Sequence, residues 1–493
     1  MKRQGPDTAR SATFADQPGR ARRLGFLAVA VGTVGSLGIV LEGSTIGSVP
    51  LGQTRQFWLR VPEGSYALAH VVFYVAVALL VVGWLALGVL ARHDRLTLAR
   101  AWTALALWGA PLFVGAPVFS RDVYSYVAQG ELVRRGLNPY LVTPRALGAG
   151  PLLASIASVW RDTTSPYGPL FVTLAHLADT LGGRSLVSQV LVFRCVELVG
   201  VVLMMVALPL LARHFDVSEG VALWLGVLSP LALFSAVSAA HNDTLMIGLL
   251  TLALAIGLRG HWRVAVTLCA LAATVKLPAL AGAVFLTTWR AREVHRGQRW
   301  RVVGESLALT TVVVTVVTLI SGYGWTWLGP TALRIPTKLR VLITPSVSVG
   351  HLVGALVHAA GLSWRTGTVV SAVQDGAELL AIALVVVLLG RTRENNVALL
   401  LGVALLLVVL ASPTLWPWYF LWGLTVLAAT NVQRSAFLAL VGGGAMILVG
   451  PGGTPMIGGN GFYVTGPLVL ATIAWFVGSG RWRASTSGRD RVD

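Results

Sequence analysis

The residue best placed to do chemistry is Asp122, in Arg121-Asp122-Val123-Tyr124-Ser125-Tyr126, just past the end of a long apolar run. A carboxylate at a membrane–water boundary is partly shielded from water, which raises its pKa and suits it to act as a general base toward a hydroxyl. The structural alternative is a surface pair with Arg121 or a residue at the start of a helix. Farther along the same polar stretch come Gly136-Leu137-Asn138-Pro139-Tyr140 and Ser165-Pro166-Tyr167-Gly168-Pro169, whose Pro and Gly stiffen the chain and permit turns. Tyr140 and Tyr167 can stack on a ring-shaped ligand or lie in an interfacial aromatic belt. Glu131 and Asp162 are the rival carboxylates of this stretch.

Four further groups sit between or inside apolar runs. His241-Asn242-Asp243 joins two of them, and polar side chains at that depth either face a ligand or cap a helix turn. No metal is expected there, because no other His or carboxylate accompanies the trio at ligand spacing. Lys276 is the only lysine inside an apolar run. It requires an anion, either a lipid phosphate or a buried carboxylate such as Glu197. Arg334, Lys338 and Arg340 form a cationic cluster beyond Trp325 and Trp327, read as facing an anionic partner or lipid headgroups. Ser412-Pro413 and Trp416-Pro417-Trp418-Tyr419 suggest an aromatic wall.

The elements that must position these groups are set by composition. The chain has 493 residues, of which 55% are hydrophobic and 12% charged, with a mean hydropathy of +0.74. A soluble domain carries about 25% charged residues, so an all-α polytopic membrane protein is expected; disorder, a secreted disulfide scaffold and a nucleic-acid binder are excluded. Cys195 and Cys269 both lie in apolar runs and make no disulfide framework. The charge of +18 gathers in short loops and at the ends, where it sets orientation.

Read by apolar runs, residues 1–23 form a basic cytoplasmic tail and residues 24–479 one membrane domain with outer loops at 120–169 and 321–365. Residues 480–493 form a second basic cytoplasmic tail. Leu24–Leu41 reads as a retained anchor. About 12 spans are expected: after that anchor, Tyr66–Ala91, Ala101–Phe119, Val187–Leu211, Val221–Val237, Thr244–Leu258 and Val302–Ile320, then Thr366–Gly390, Val397–Ala411, Trp418–Thr430, Ser435–Val449 and Phe462–Gly478. Leu170–Leu181 is too short to span and reads as a half-helix. Val264–Trp289 has arginines beyond both ends, which predicts a re-entrant hairpin broken at Lys276–Pro278. Each arm of about 12 residues is about 18 Å long, enough to carry Lys276 deep into the membrane.

In this order, Arg121-Asp122-Val123-Tyr124-Ser125-Tyr126, Asn138-Pro139-Tyr140, Ser165-Pro166-Tyr167-Gly168-Pro169, His241-Asn242-Asp243, Lys276-Leu277-Pro278 and Trp418-Tyr419 resemble the GT-C superfamily of polyprenyl-phosphosugar-dependent glycosyltransferases. The likeness is to the polyprenol-phosphomannose-dependent α-1,6-mannopyranosyltransferases of the MptA/MptB group, and it covers roughly Ala101 to Gly478. It implies a multi-pass plasma-membrane enzyme with an outer-face site and Asp122 as the matching acidic residue. Mannose would move with inversion from polyprenyl-phosphate-mannose, as donor substrate, to a hydroxyl of a lipid-anchored mannan of the lipomannan type, with no cofactor. Arg121, Tyr124, Tyr126, Asn138, Tyr140, Tyr167, His241, Asn242, Asp243, Trp418 and Tyr419 would hold donor and acceptor. Lys276, Arg334, Lys338 and Arg340 would hold the lipid phosphate. Two features depart from the pattern: the carboxylate is single where some members have Asp-x-Asp, and two spans precede the first large loop where many have one. An arabinofuranosyl or other polyprenyl-phosphosugar transferase and a lipid-linked sugar flippase are the alternatives, although no internal repeat supports a flippase.

Overall fold

The computed structural model describes residues 18–48, 65–329 and 344–453, and no β-strand occurs among them. Helix α1 (Pro18–Ile46) lies along α2 (Tyr66–Arg92), and α3 (Leu98–Val114) packs on α1. The polar segment that follows carries α4 (Asp122–Arg134), α5 (Pro151–Ser155) and α6 (Ser158–Arg161), and α7 (Pro169–Gly182) packs on α4. Helix α8 (Leu186–His214) leads to α9 (Glu219–Gly226). A bend of 48° separates α9 from the segment Pro230–Ser238, made of α10 (Pro230–Ala232) and the π-helical turn Leu233–Ser238.

Helices α11 (Asp243–Gly257), α12 (Trp262–Ala273) and α13 (Leu280–Glu293) follow, then α14 (Arg299–Ser321). The described chain closes with α15 (Pro345–Ala359), α16 (Thr366–Arg391), α17 (Val397–Ala411), α18 (Phe420–Ala428) and α19 (Val432–Val449). Among the described residues, six stretches, containing α1, α2, α8, α14, α16 and α17, are long and apolar enough to cross a membrane, and the bent pair makes a seventh if counted as one span. Leu307, Val312 and Ile320 of α14 and Leu379, Leu380 and Val386 of α16 are exposed, as lipid-facing residues of a membrane helix are.

The remaining apolar helices are short, and this positions the site. Helix α11 has 15 residues and α12 has 12, or about 22 and 18 Å at 1.5 Å per residue, against a hydrocarbon layer of about 30 Å. Their ends therefore converge within the fold. Helix α11 can lie close against α8 because Gly200 and Gly248 face each other; a Cβ at 248 would lie 2.4 Å from the Gly200 carbonyl oxygen.

Several sequence expectations change in detail. Helix α1 begins at Pro18, so Arg20, Arg22 and Arg23 belong to its first turns and not to a tail. The two arms α12 and α13 pack on each other around a break at Lys276–Pro278, with Gly282 opposite Cys269. Leu170–Leu181 lies within the 14-residue α7. The span expected over Val221–Val237 is bent, because the chain breaks between Gly226 and Pro230. Residues 120–169, read as an outer loop, contain the 13-residue α4. That helix is polar and aromatic, so a search for apolar runs passes over it. The stretch read as outer region 321–365 likewise holds α15, which packs along α16. Arg334, Lys338, Arg340, the span expected over Phe462–Gly478, and the tail 480–493 lie outside the described residues.

Candidate active site

Two short segments enter the site, each through a left-handed residue. Phe119 (φ 63°) precedes Ser120-Arg121-Asp122, and Ala240 (φ 51°) precedes His241-Asn242-Asp243. Neither is glycine, so each carries about 1–2 kcal/mol of backbone strain. Surrounding contacts hold both in place. The Phe119 amide donates to the Pro451 carbonyl at 2.8 Å, and the Phe119 ring packs on Phe234 at 4.9 Å. Arg194, fully buried on α8, donates to the carbonyls of Phe113, Gly115 (2.7 Å) and Ser238 (3.0 Å from Nε). One guanidinium thus ties the end of α3 to the π-turn that leads to Ala240.

Asp122 is the first residue of α4, where the helix N-terminus favours negative charge. Its side chain is buried, and Oδ1 accepts from the Trp160 indole N–H at 2.8 Å. Oδ2 lies 3.6 Å from His241 Nδ1, which is also 3.5 Å from the Tyr126 hydroxyl. Burial raises the Asp122 pKa to about 7, against the opposing effects of the Trp160 hydrogen bond and the Lys276 charge. Burial and the Lys276 charge together hold the His241 imidazole well below its ordinary pKa, so it is neutral. The His241 ring stacks on Trp418 at 3.8 Å, and Trp418 stacks in turn on Trp416 at 5.1 Å.

The tip of the α12–α13 hairpin brings in the cation. Lys276 Nζ donates to Asp243 Oδ1 at 2.8 Å, and the Trp422 indole N–H donates to the same oxygen. The partner is thus Asp243, not the Glu197 considered from sequence; Glu197 instead accepts from the Leu245 amide at 2.9 Å. Aromatic rings surround the ammonium, with Tyr419 at 4.4 Å, Trp422 at 5.2 Å and Tyr167 at 5.8 Å. Tyr167 reaches this position because the segment before α7 docks on the hairpin: the amides of Gly168 and Leu170 donate to the carbonyls of Val275 and Thr274, both at 3.0 Å. A Cβ at 168 would lie 2.1 Å from the Thr274 carbonyl oxygen, so only glycine fits.

Asp122, Tyr126, Tyr167, His241, Asp243, Lys276, Trp418 and Tyr419 therefore form one cluster. Arg121 adjoins it, donating from Nε to the Gly452 carbonyl at 3.0 Å. Tyr124 is buried beside Arg194. Asn242 is fully buried, and neither atom of its amide has a hydrogen-bond partner among the described residues; the same holds for His241 Nε2 and Asp243 Oδ2. Buried polar atoms are seldom left unpaired, so this group of orphans marks a place where a polar ligand fits.

Asn138 and Tyr140 lie elsewhere. Asn138 Oδ1 accepts from the Tyr140 amide and Nδ2 donates to Thr326, while Tyr140 packs with Val172 and Trp327 in a separate apolar cluster. They join the first polar segment to the turn after α14. Of the rival carboxylates, Asp162 is exposed and paired with Arg145, and Glu131 is held by Arg134 and Arg135. Trp160, Trp422, Gln129 (which accepts from Ser165 at 2.9 Å) and Arg194 are the site residues that sequence reading missed. A signal existed only for Arg194, a charge inside an apolar run that also holds Glu197.

A chain of membrane-crossing helices that gathers a buried carboxylate of raised pKa, a paired cation and unpartnered polar groups at converging helix ends has the construction of a membrane-embedded enzyme. The comparisons make the class specific: the chain belongs to the alpha-(1->6)-mannopyranosyltransferase family, whose N-terminal domain model matches residues 29–292. The MptB C-terminal domain model matches residues 346–479. The first match contains Asp122, His241, Asp243 and Lys276, and the second contains Trp418 and Trp422; the stretch with Arg334, Lys338 and Arg340 lies between them. The chain is 33% identical over 447 residues to alpha-(1->6)-mannopyranosyltransferase A of Mycobacterium tuberculosis, covering 87% of this chain and 84% of that one. It is 29% identical over 456 residues to alpha-(1->6)-mannopyranosyltransferase B of Corynebacterium glutamicum, covering 84% and 74%. No solved structure matches. The protein is thus a membrane-embedded mannosyltransferase, acting with a sugar donor and a glycan acceptor.

Proposed function

We propose that the protein moves mannose from a polyprenyl-phosphate-mannose to a hydroxyl of a lipid-anchored mannan at the outer face of the plasma membrane, in a GT-C-type site with both termini cytoplasmic, forming α-1,6 linkages. The observation that carries the reading is Asp122, a buried carboxylate whose pKa of about 7 matches a general base at neutral pH. In the reaction the acceptor oxygen attacks C1 of a β-linked mannosyl phosphate and its proton passes to Asp122. The C1–O bond to phosphate breaks with inversion, and the phosphate leaves as a dianion. A leaving group of this kind needs positive charge more than an acid. Lys276 has three N–H donors, and the bond to Asp243 occupies one, which leaves donors for phosphate oxygens. Arg334, Lys338 and Arg340 are further candidates for that charge. Asn242, His241 Nε2 and Asp243 Oδ2 would orient sugar hydroxyls, with Trp418 and Tyr419 as the wall; orientation of this kind lowers the barrier as effectively as the base does.

The test is transfer of labelled sugar in membranes containing the full chain. With polyprenyl-phosphate-mannose and an α-1,6-mannoside acceptor, product with a new α-1,6 bond is expected. Transfer from a polyprenyl-phosphate-arabinose in its place, or translocation of the lipid-linked sugar without transfer, would overturn the reading.

A further inference from the structure

A second polar cluster lies at the far end of α4. A cleft of about 610 Å³ opens between the end of α4, residues 147–153, the end of α7 and the start of α8. Glu131 lines it, held by Arg134 and by Arg135, whose Nε is 2.6 Å from Oε1. Arg134 also reaches Asp179 Oδ2 at 3.0 Å, and the other Asp179 oxygen accepts from Gln189 at 2.7 Å. Both carboxylates are buried, with side-chain exposures of 10% and 1%, whereas the Arg134 and Arg135 side chains are 53% and 46% exposed. The acids therefore fix two guanidinium groups; Arg135 also donates from Nη1 to the Leu147 carbonyl at 3.3 Å, and the remaining N–H groups of both arginines stay available. Arg184 on the rim is exposed and makes no ion pair among the described residues. Aliphatic side chains of the cleft's loop supply an apolar floor beside this array.

Rigid, paired donors beside an aliphatic surface suit a pyranose, which presents vicinal hydroxyls on its edge and C–H groups on its face. The position agrees. Glu131 follows Asp122 by nine residues on one helix, or about 14 Å at 1.5 Å per residue, the reach of a short oligosaccharide. We propose that this cleft is an acceptor subsite, binding hexose units of the mannan behind the one that receives the new sugar. The proposal rests on the mannan-extending reading above, and it makes α4 the ruler between the base and the chain.

The experiment uses the purified full chain in nanodiscs and α-1,6-mannose oligomers from the disaccharide to the pentasaccharide, measured by binding and by transfer. Binding is repeated with Asp122→Asn, in which turnover cannot consume the acceptor. Wild type is expected to bind the pentasaccharide about tenfold more tightly than the disaccharide, the effect of one or two charge-assisted hydrogen bonds. Arg184→Ala and Arg135→Gln should each remove most of that gain, raising KM for the pentasaccharide more than for the disaccharide, with melting temperatures close to wild type. Affinity that does not depend on length, or variants that weaken short and long acceptors equally, would overturn the subsite. Cleft-dependent binding of the pentasaccharide by a protein that transfers no mannose would leave the subsite standing and defeat the reading of the function. Mannose transfer without any dependence on length would do the reverse.

Discussion

Asp122→Asn separates chemistry from folding, because the amide retains an oxygen for the Trp160 indole but can neither ionise nor take up a proton. Loss of a general base lowers turnover by about 10²- to 10⁴-fold. The effect on stability has the opposite sign. The carboxyl pKa rises from 3.8 in the unfolded chain to about 7 in the fold, a shift worth about 4 kcal/mol at 1.36 kcal/mol per unit. Between those pH values the unfolded chain has released the proton that the folded chain still holds, so stability declines as pH rises from about 4 to about 7 and is lowest above it. The variant has no such term and should be more stable than wild type at pH 8, with the difference shrinking toward pH 4. The assays are kcat/KM for mannose transfer from pH 5.5 to 8.5 and the melting temperature across the same range. Wild-type activity should fall tenfold per unit below about pH 7, and the residual activity of the variant should lack that limb. Wild-type turnover in Asp122→Asn would refute the assignment, as would a wild-type activity limb centred near pH 4. Retained activity here with complete loss in Asp243→Asn would move the base to the other carboxylate of the cluster.

Three further substitutions test the surroundings. Trp160→Phe removes the hydrogen bond that opposes the rise of the Asp122 pKa, so the acid limb of the activity profile should move up by about one pH unit; an unmoved limb would show that the indole does not act on the base. Lys276→Met leaves Asp243 as a buried charge with no ionic partner and should destabilise the protein by about 3 kcal/mol, read as melting temperature. Adding Asp243→Asn should restore the fold but not transfer, and recovery of both would remove the ammonium from the mechanism. Gly168→Ala places a Cβ 2.1 Å from the Thr274 carbonyl and should lower stability by more than 2 kcal/mol while displacing Tyr167; a melting temperature equal to wild type would mean that the segment moves freely.

What could be read from the sequence follows from where polar groups stand out. Asp122 and His241-Asn242-Asp243 are polar residues at the edges of apolar runs and Lys276 lies inside one, and such groups are expensive in a membrane unless they have a use. The break between α12 and α13 was legible for a related reason: Pro278 supplies it, within an apolar run that has arginines beyond both ends. Trp160 and Gln129 carried no such contrast. They lie among other polar and aromatic residues, and only the folding of 120–169 over the helix ends brings them to Asp122 and Ser165. Asn138 and Tyr140 show the limit of such motifs, since turn-forming and aromatic residues read alike whether they line a ligand or, as Tyr140 does here, pack on Trp327.

That Lys276 pairs with Asp243 and not with Glu197 turns on helix length, which the apolar pattern gives only approximately. With α11 at 15 residues and α12 at 12, the hairpin tip stops level with the N-terminus of α11 and meets Asp243. Glu197 instead holds the Leu245 amide, two residues farther along α11. The same short helices leave Asn242 buried with its amide unpaired. A full-length α11 or α12 would bury these polar ends against other helices or carry them out to water. Stopping short leaves them unpartnered inside the fold, and on the function proposed above a sugar hydroxyl would be the partner they lack.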